Sequence, residues 1–376
     1  MSSPVSYLSS AQLQRDLALR DLSDSAEGPH AIQILLDRAV QTLSRAWRCQ
    51  VRWCRGPRIV PVADNYDHLG YPAAAISRDA RYTRYVAQGR MLRSHSTAMV
   101  PPALRRLAAE PAEPADDVLL VCPGIVYRRD AIDWQHTGTP HQLDLWRVTR
   151  RPMGEADMDE MIATVLAALT PGLPVRQHQR AHPYTVSGRQ ADVCHDGRWV
   201  EVGECGLAHP RVLAAAGLPG RSGLALGMGL DRLLMLAKRI PDIRLLRSAD
   251  PRVAGQMLDL SAYQRVSVMP AITRDLSVIV DNDDEYDEET LGDRIRDALG
   301  ADADRVEEAR VLSATPYDEL PAPAVARLGA APGQRNLLVR VVLRDLDATL
   351  TNAAANVLRD RIYRALHQGT RHEWSA

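Results

Sequence analysis

The chain contains no phenylalanine, although an ordinary composition would place on the order of ten or more in 376 residues. Other rings are sparse, with Trp and Tyr making up the whole 5% aromatic share. The interior must therefore be filled by aliphatic side chains and a few rings. Drift in an Arg-rich, GC-rich genome would give such an absence, and so would selection against the residue. An excess of one charge sign is also missing. The formal net charge is −1, so any contact with nucleic acid must use local basic patches rather than a global field. No apolar run is long enough to span a bilayer. The opening MSSPVSYLSSAQLQRD lacks a basic stretch followed by an apolar one, which argues against a secretory signal. The five cysteines (Cys49, Cys54, Cys122, Cys194, Cys205) are odd in number and scattered. Cys49 and Cys54 have no second pair to complete a tetrahedral zinc site. A reducing cytoplasm is the expected location.

What remains is the composition of a soluble globular protein, 45% apolar and 25% charged, long enough for two domains or three. Residues 10–22 read as a short amphipathic helix, and SAEGPH (25–30) as a turn. AIQILLDRAVQTLSRAWR (31–48) carries apolar residues at helical spacing, with Pro29 just ahead of it. CQVRWC alternates like a strand, PVADNYDHLGYP (61–72) reads as a loop, and AAEPAEPADD (108–117) as a surface connector. VLLVCPGIVYRRD (118–130) and HQLDLWRV (141–148) are strand-like and flank a polar loop. MDEMIATVLAAL (158–169) is helical. RQADVCHDGRWVEVGECG (189–206) is a hairpin turning at Asp196-Gly197. GLALGMGLDRLLMLAKRI (223–240) runs from a Gly-rich strand into a helix. A seam falls near 255–265. Beyond it the order is strand (272–281), helix (287–300), strand (305–318), strand (334–350) and helix (351–368), with Thr351 or Asn352 as cap. That is a split βαβ, ferredoxin-like pattern without a clear last strand.

Two segments carry chemistry. In VYRRDAIDWQHTGTPHQLDLW (126–146), Arg128 precedes a loop holding His136, and Gln142 and Asp144 return on the next strand. Two positions apart, Gln142 and Asp144 share a face. A cation, an imidazole, an amide and a carboxylate lining one cleft would suit the two charged ends of an amino acid beside a triphosphate. Spacing alone equally allows a solvated polar strand face. In GLALGMGLDR, Gly223, Gly227 and Gly229 permit close backbone approach, and Arg232 sits in the first helical turn. A Gly-rich entry to a helix suits phosphate, although such glycines are as often packing sites. No GK[ST] follows, so it is not a Walker loop.

Together these segments resemble motifs two and three of class II aminoacyl-tRNA synthetases. More narrowly they are similar to the phenylalanyl-tRNA synthetase family, in its catalytic α-chain or single-chain organellar form. DNYDHLGYP, MLRSHST, GIVYRRD, PHQLD, ECGLAHPRVL, GLALGMGLDRLLML and DIRLLRSADPR occur in the family's order across roughly 60–250, with a looser likeness over 30–60. PAITRDLSVIV and LVRVVLRDLDATLT resemble its ferredoxin-like anticodon-binding domain. The fold this implies is α+β. An N-terminal arm (1–30) would lead into a catalytic domain (31–258) made of a six- or seven-stranded antiparallel sheet flanked by helices. An anticodon-binding domain (262–376) would follow. The implied partners are ATP, Mg²⁺, an amino acid and a tRNA, most plausibly that of phenylalanine. No membrane is implied, and the chain would act as a monomer or homodimer in the cytoplasm.

The resemblance also implies roles. Arg128 would hold the α-phosphate and the substrate carboxylate. His136 and Arg232 would hold the β- and γ-phosphates, and Gly227 and Gly229 would line the nucleotide site. His95 and Thr97 would lie by the substrate amino end with Gln142 and Asp144. Asp192 and Glu201, facing each other across the hairpin, would hold Mg²⁺ through oxygen. The work is positioning and charge stabilisation rather than acid–base chemistry.

The chain departs from the family mainly on the amino-acid side. A usual Phe-Pro-Phe followed by Thr-Glu is matched by His182-Pro183-Tyr184-Thr185-Val186, and Gly-Cys-Gly by Glu204-Cys205-Gly206. The acidic residue after Gln shortens to Asp144, and the aromatic that stacks on adenine becomes Pro140. Ala225, in the pocket floor, is kept. Avoidance of Phe accounts for Tyr66, Leu224, Leu226 and Tyr184, and less readily for His182 and Glu204. A buried carboxylate at Glu204 is costly unless a protein cation or the substrate pairs with it. Three functions remain open. One is a ligase charging tRNA with phenylalanine or a related aromatic amino acid, made without Phe so that it can be translated when normal charging fails. Another is a paralogue activating an unusual polar amino acid for a specialised pathway. The last is a non-catalytic tRNA sensor.

Overall fold

The interior is built with almost no large rings. Among the described residues Trp146, Tyr66, Tyr127 and Tyr363 are the buried ones, set among Leu, Ile, Val and Met. A tyrosine inside a core needs a partner for its hydroxyl. Tyr66 has two, the Ser77 carbonyl and the Thr83 hydroxyl, each at 2.6 Å. Tyr127 donates to the Asp16 carbonyl at 3.2 Å. This computed structural model describes residues 7–79, 82–110, 116–266, 269–284 and 286–372. The middle of the expected connector, 111–115, lies outside them.

Contacts group the chain into two units. The first holds the residues up to Arg128, Thr139–Pro241 and Gly255–Tyr263. The second holds Arg129–Gly138, Asp242–Ala254 and the residues from Gln264 on.

Among the described residues the first unit contains ten strands: β1 (Gln50–Trp53), β2 (Ile59–Pro61), β3 (Tyr85–Ala87), β4 (Arg90–Leu92), β5 (Asp117–Ile125), β6 (His141–Thr149), β7 (Val175–Gln179), β8 (Thr185–His195), β9 (Arg198–Ala208) and β10 (Ser222–Gly229). Seven of them form one sheet in the order β1-β5-β6-β10-β9-β8-β7. Pairing is antiparallel except at one edge, where β1 runs parallel to β5. The expected all-antiparallel sheet thus has one parallel edge pair. A smaller sheet, β2-β4-β3, stands apart. The turn between β8 and β9 is Asp196-Gly197, both at positive φ (50° and 75°), as a type I′ hairpin requires.

The helix Ala31–Trp47 buries Ile32, Leu35, Leu36, Ala39, Val40 and Leu43 along one stripe, and the helix Glu155–Leu169 buries Met158, Met161, Ile162, Val165, Leu166 and Leu169. His30 caps the former, its Nδ1 accepting from the Ile32 amide at 3.2 Å. Leu230–Lys238 follows directly on β10. It ends at the chain's single lysine, which is buried. Lys238 Nζ donates to the carbonyls of Asp259 (2.8 Å) and Ser261 (2.6 Å) and to Asp259 Oδ1 (3.2 Å), tying the seam to this helix. The segment expected to be a loop at 61–72 contains the helical turns Val62–Asn65 and Asp67–Leu69. Among the described residues no helix is long and apolar enough to cross a membrane.

The second unit has β11 (Ile272–Asp281), β12 (Val306–Pro316) and β13 (Gln334–Leu343) in the antiparallel order β11-β13-β12. Its core joins Leu276, Val278, Val280, Val339 and Val341 to Leu291 and Ile295 of the helix Glu288–Leu299 and to Leu358 and Ile362 of Asn352–Leu366. Thr351 caps the last helix, accepting from the Ala354 amide at 3.1 Å. The loop 129–138 groups with this unit: Arg129 pairs with Asp293 at 3.1 Å, and Ile132 bridges Ala309. A side chain at Gly292 would strike the Asp130 carbonyl at 2.5 Å. Close packing of backbone on helix there requires glycine.

Candidate active site

The site is organised by a strap, Arg93–Thr97, laid over β5 and β6. Arg93 is buried and donates from Nε to the Ile125 carbonyl at 2.7 Å and from Nη1 to the Gly56 carbonyl at 3.0 Å. Gly124 makes room for it, since a Cβ there would lie 2.1 Å from the guanidinium. Asn65, also buried, accepts from the Ser94 amide (3.1 Å), donates to the Ser94 hydroxyl (2.9 Å) and lies 3.3 Å from His95 Nε2. The strap then orients three of the sequence-identified residues. The Ser94 carbonyl accepts from Arg128 Nε at 2.9 Å. The Ser96 amide donates to Gln142 Oε1 at 3.1 Å. The hydroxyls of Ser96 and Thr97 donate to Asp144 Oδ2 at 2.5 and 3.1 Å. Trp146 Nε1 donates to Asp144 Oδ1 at 3.3 Å.

The start of β6 is fixed separately. His141, fully buried, donates its amide to Asp231 Oδ2 at 2.5 Å and sets Nδ1 3.0 Å from Asp231 Oδ1. Its Nε2 accepts from the Leu22 amide at 3.0 Å. This anchor holds the strand that carries Gln142 and Asp144.

Strand register sets the floor. Asp144 lies opposite Gly227, and Gly227 opposite Glu204, so one row across three strands reads carboxylate, glycine, carboxylate. The next row places Trp146 opposite Ala225 and Ala225 opposite Gly206. A Cβ at Gly229 would meet nothing within 4 Å, and one at Gly227 would have the Asp144 carboxylate as its nearest neighbour, at an ordinary contact distance of 3.7 Å. The floor is therefore open to a ligand between Asp144 and Glu204.

Burial and partners give the ionisable groups different states. Burial pushes Asp144 up to about 6, against the lowering effect of Ser96, Thr97 and Trp146. Burial, with the Arg128 charge, pushes His95 down to about 3, so it is neutral near pH 7. His95 Nδ1 has no hydrogen-bond partner among the described residues. Glu204 is held below the usual carboxylate range: burial opposes this, but His182, Arg180 and Arg128 outweigh it. Glu204 Oε2 lies 2.8 Å from His182 Nε2, and Oε1 lies 3.4 Å from Arg180 Nε. The Arg128 charge lowers the pKa of His95, Asp144, Glu201 and Glu204 alike. Rings line the same region: Tyr184 stacks on His182 (5.6 Å) and lies 6.1 Å from Trp146, and Tyr71 stacks on His95 (5.9 Å).

The structure thus gathers His95, Thr97, Arg128, Gln142, Asp144, His182, Tyr184, Glu204, Ala225, Gly227 and Gly229 in the first unit. Pro140 sits at the entrance to β6, its carbonyl accepting from the Val126 amide at 2.8 Å. Arg232 donates to the Glu201 carbonyl at 3.3 Å. His136 belongs to the second unit, where Asp133 accepts from its amide at 2.9 Å and lies 2.7 Å from its Nδ1. Asp192 and Glu201 are cross-strand partners, brought into register by a bulge at Val202. Asp192 is buried, with Oδ2 accepting from Arg176 Nε at 2.9 Å and Oδ1 from Gln190 at 2.8 Å. A carboxylate so engaged does not fit a Mg²⁺ ligand as it stands, whereas exposed Glu201 does. Among the described residues no cluster of three or more His, Cys, Asp or Glu side chains could hold a metal.

Sequence reasoning missed Ser96, Asn65, Trp146, Tyr71 and His141. All five lie inside segments already singled out: Ser96 in LRSHST, Asn65 and Tyr71 in DNYDHLGYP, and His141 and Trp146 in 126–146. Their roles come from contacts across the fold, which no local pattern encodes.

A sheet of this order, with a cationic strand end and a glycine floor, is the frame of a class II synthetase core. Residues 16–257 match the family model described as "tRNA synthetases class II core domain (F)". The chain belongs to this family. Among curated proteins, it is 30% identical to the phenylalanine–tRNA ligase alpha subunit of Nostoc punctiforme over 66% of this chain and 75% of that protein. It is 34% identical to the alpha subunit of Prochlorococcus marinus over 54% of this chain and 59% of that protein. With that of Synechocystis sp. it is 31% identical over the same shares, 54% and 59%. It thus spans well under two thirds of the latter two.

Proposed function

We propose that this chain is an ATP-dependent ligase that activates phenylalanine or a related aromatic amino acid as its adenylate and passes the aminoacyl group to a tRNA, that of phenylalanine first among candidates. The single observation that carries this reading is the strap Arg93–Thr97, which fixes Arg128, Gln142 and Asp144 around an open glycine floor. The amino-acid carboxylate oxygen attacks the α-phosphorus of ATP, a carbon–oxygen–phosphorus link forms and pyrophosphate leaves. No side chain need move a proton. Arg128 neutralises charge on the α-phosphate and the attacking carboxylate, and preorganised charge of this kind is typically worth a few kcal/mol. Asp144 and Gln142 take the α-ammonium. Within the first unit, Arg232 is the proposed partner of the leaving phosphates.

ATP would arrive with Mg²⁺, for which Glu201 and phosphate oxygens are the candidate ligands. Asp192 would join only by releasing Arg176. The second unit, in which a short helix (Ala322–Leu328) joins β12 to β13 of an otherwise β-α-β-β-α order, is proposed as a ferredoxin-like anticodon-binding domain. Whether the ligase works alone, as a homodimer or with a further subunit is decided by sedimentation of the active species. ATP–pyrophosphate exchange, followed by transfer of labelled amino acid to bulk tRNA, tests the reading. Exchange that falls at least ~100-fold in R128A supports it. A chain that binds tRNA but exchanges with no amino acid would be a sensor instead.

A further inference from the structure

Resting on that reading, we infer that the site selects an aromatic amino acid whose ring carries a hydrogen-bond-donating substituent, a hydroxyl or an amino group, and that Glu204 is the residue that reads it. An amino acid has one α-ammonium, and one carboxylate answers it. This floor offers two, Asp144 and Glu204, on either side of Gly227 in a single row. Two strand spacings separate their backbones, about 10 Å. An aromatic amino acid is shorter than this from its α-nitrogen to a ring substituent, so one molecule can lie between the two side chains. Asp144 faces the strap and Arg128, the end where the carboxylate and phosphate react. Glu204 therefore falls at the ring end.

The neighbours of Glu204 fit a donor better than bare hydrocarbon. Its carboxylate is ionised, with His182 on one oxygen and the largely exposed Arg180 at the longer distance on the other. Each carboxylate oxygen has two acceptor positions, so capacity remains for a further donor. His182 is itself wedged in place: a Cβ at Gly188 would come within 3.0 Å of its Nδ1. Neither ring nitrogen of His182 makes a hydrogen bond among the described residues, the Nε2–Glu204 approach being one of distance alone. A plain phenyl ring laid here would strip water from a carboxylate and an imidazole and return no hydrogen bond. A hydroxyl or amino group would return one, charge-assisted. In the next row the Thr185 side chain takes the space over Gly206, so the ring would lie over Ala225.

The test is ATP–pyrophosphate exchange by the full chain with phenylalanine, tyrosine, 3-hydroxy-, 3-amino- and 4-amino-phenylalanine. The matched rings that cannot donate are 4-methyl- and 4-methoxy-phenylalanine. The expected result is a kcat/KM at least ~100-fold higher for one of the donor rings than for phenylalanine and the capped analogues, the scale on which sites built to bond a polar group reject its absence. E204Q should compress that ratio to within ~10-fold, and E204G should turn it toward phenylalanine. Equal or better use of phenylalanine by the wild-type chain overturns the inference while leaving the ligase reading intact. An unchanged ranking in folded E204Q overturns the role of Glu204. Silence with every amino acid overturns the ligase reading and this inference with it. Should the variants not fold, equilibrium dialysis of 4-amino- against 4-methyl-phenylalanine on the wild-type chain decides it. Tighter binding of the amino ring supports the inference, and equal binding overturns it.

Discussion

Asp144 and Glu204 stand in the same row of the same sheet, on either side of Gly227, yet they are held in opposite ways. Asp144 is held by neutral donors, two hydroxyls and an indole, and burial wins: its carboxyl is pushed up to about 6. Glu204 is held by a histidine and an arginine, and pairing wins: it stays below the ordinary carboxylate range. Hydroxyl donors keep a carboxylate in place without satisfying its charge, which leaves that charge for an incoming cation. At Glu204 a close ring nitrogen and a guanidinium answer part of that charge beforehand.

The largest break in this comparison comes from the glycine between the two. G227V should keep the sheet, since a β-branched residue suits a strand. Its side chain would occupy the floor, and exchange should fall by at least ~10³-fold with near-normal circular dichroism. A normal rate would show that the ligand does not lie there. Next comes D144N. Losing a charge-assisted bond of about 1.5–3 kcal/mol should lower kcat/KM for the amino acid roughly 10- to 150-fold.

The two carboxylates should also differ in sign when melted. The folded pKa of Asp144 is raised, so its contribution to stability is full below pH 3.8 and lost as pH rises through about 6. The folded pKa of Glu204 is lowered, so its contribution is present above 4.5 and lost as pH falls through the folded value. At pH 8, D144N should therefore melt above the wild type and E204Q below it, each by a few degrees. Both gaps should narrow in acid. Shifts of the same sign would end the comparison.

A sharper probe is S96A. The Ser96 bond lowers the Asp144 pKa, so removing it should move the acid limb of kcat/KM upward from about pH 6. An unmoved limb would mean that another group sets it. The smallest effect belongs to R180A. Arg180 is 60% exposed on its side chain, so its pair with Glu204 is screened, and activity should change less than about threefold.

Much of the fold was legible where a single period governed a segment. The helix Ala31–Trp47, the β8–β9 hairpin with its Asp196-Gly197 turn, and β11 followed their apolar patterns. β7 was not legible, because Val175–Gln179 is an exposed edge strand whose VRQHQ has no buried face to alternate against. Nor was the helix Val100–Ala108, which begins with two prolines at its first turn. Of the site, Arg128, Gln142, Asp144 and the glycines could be named from motif order. Sequence also named His182 and Glu204, and said that the carboxylate needed a partner. That they partner each other depends on how β9 faces the segment ahead of β8, a long-range fact. The same holds for Ser96 and His141, whose work is done on residues 48 and 90 positions away.

Lys238 has one more consequence. It is the chain's only side-chain amine, and it is 1% exposed. Every other side-chain cation on this protein is a guanidinium or an imidazole, and guanidinium keeps its proton at any physiological pH. Acyl donors, aldehydes and modifying enzymes that act on amines find no lysine at the surface of the folded chain. Its positive charges are written in groups that such chemistry does not erase, so the pattern offered to a phosphate backbone is the same before and after a cell's acetylation state changes.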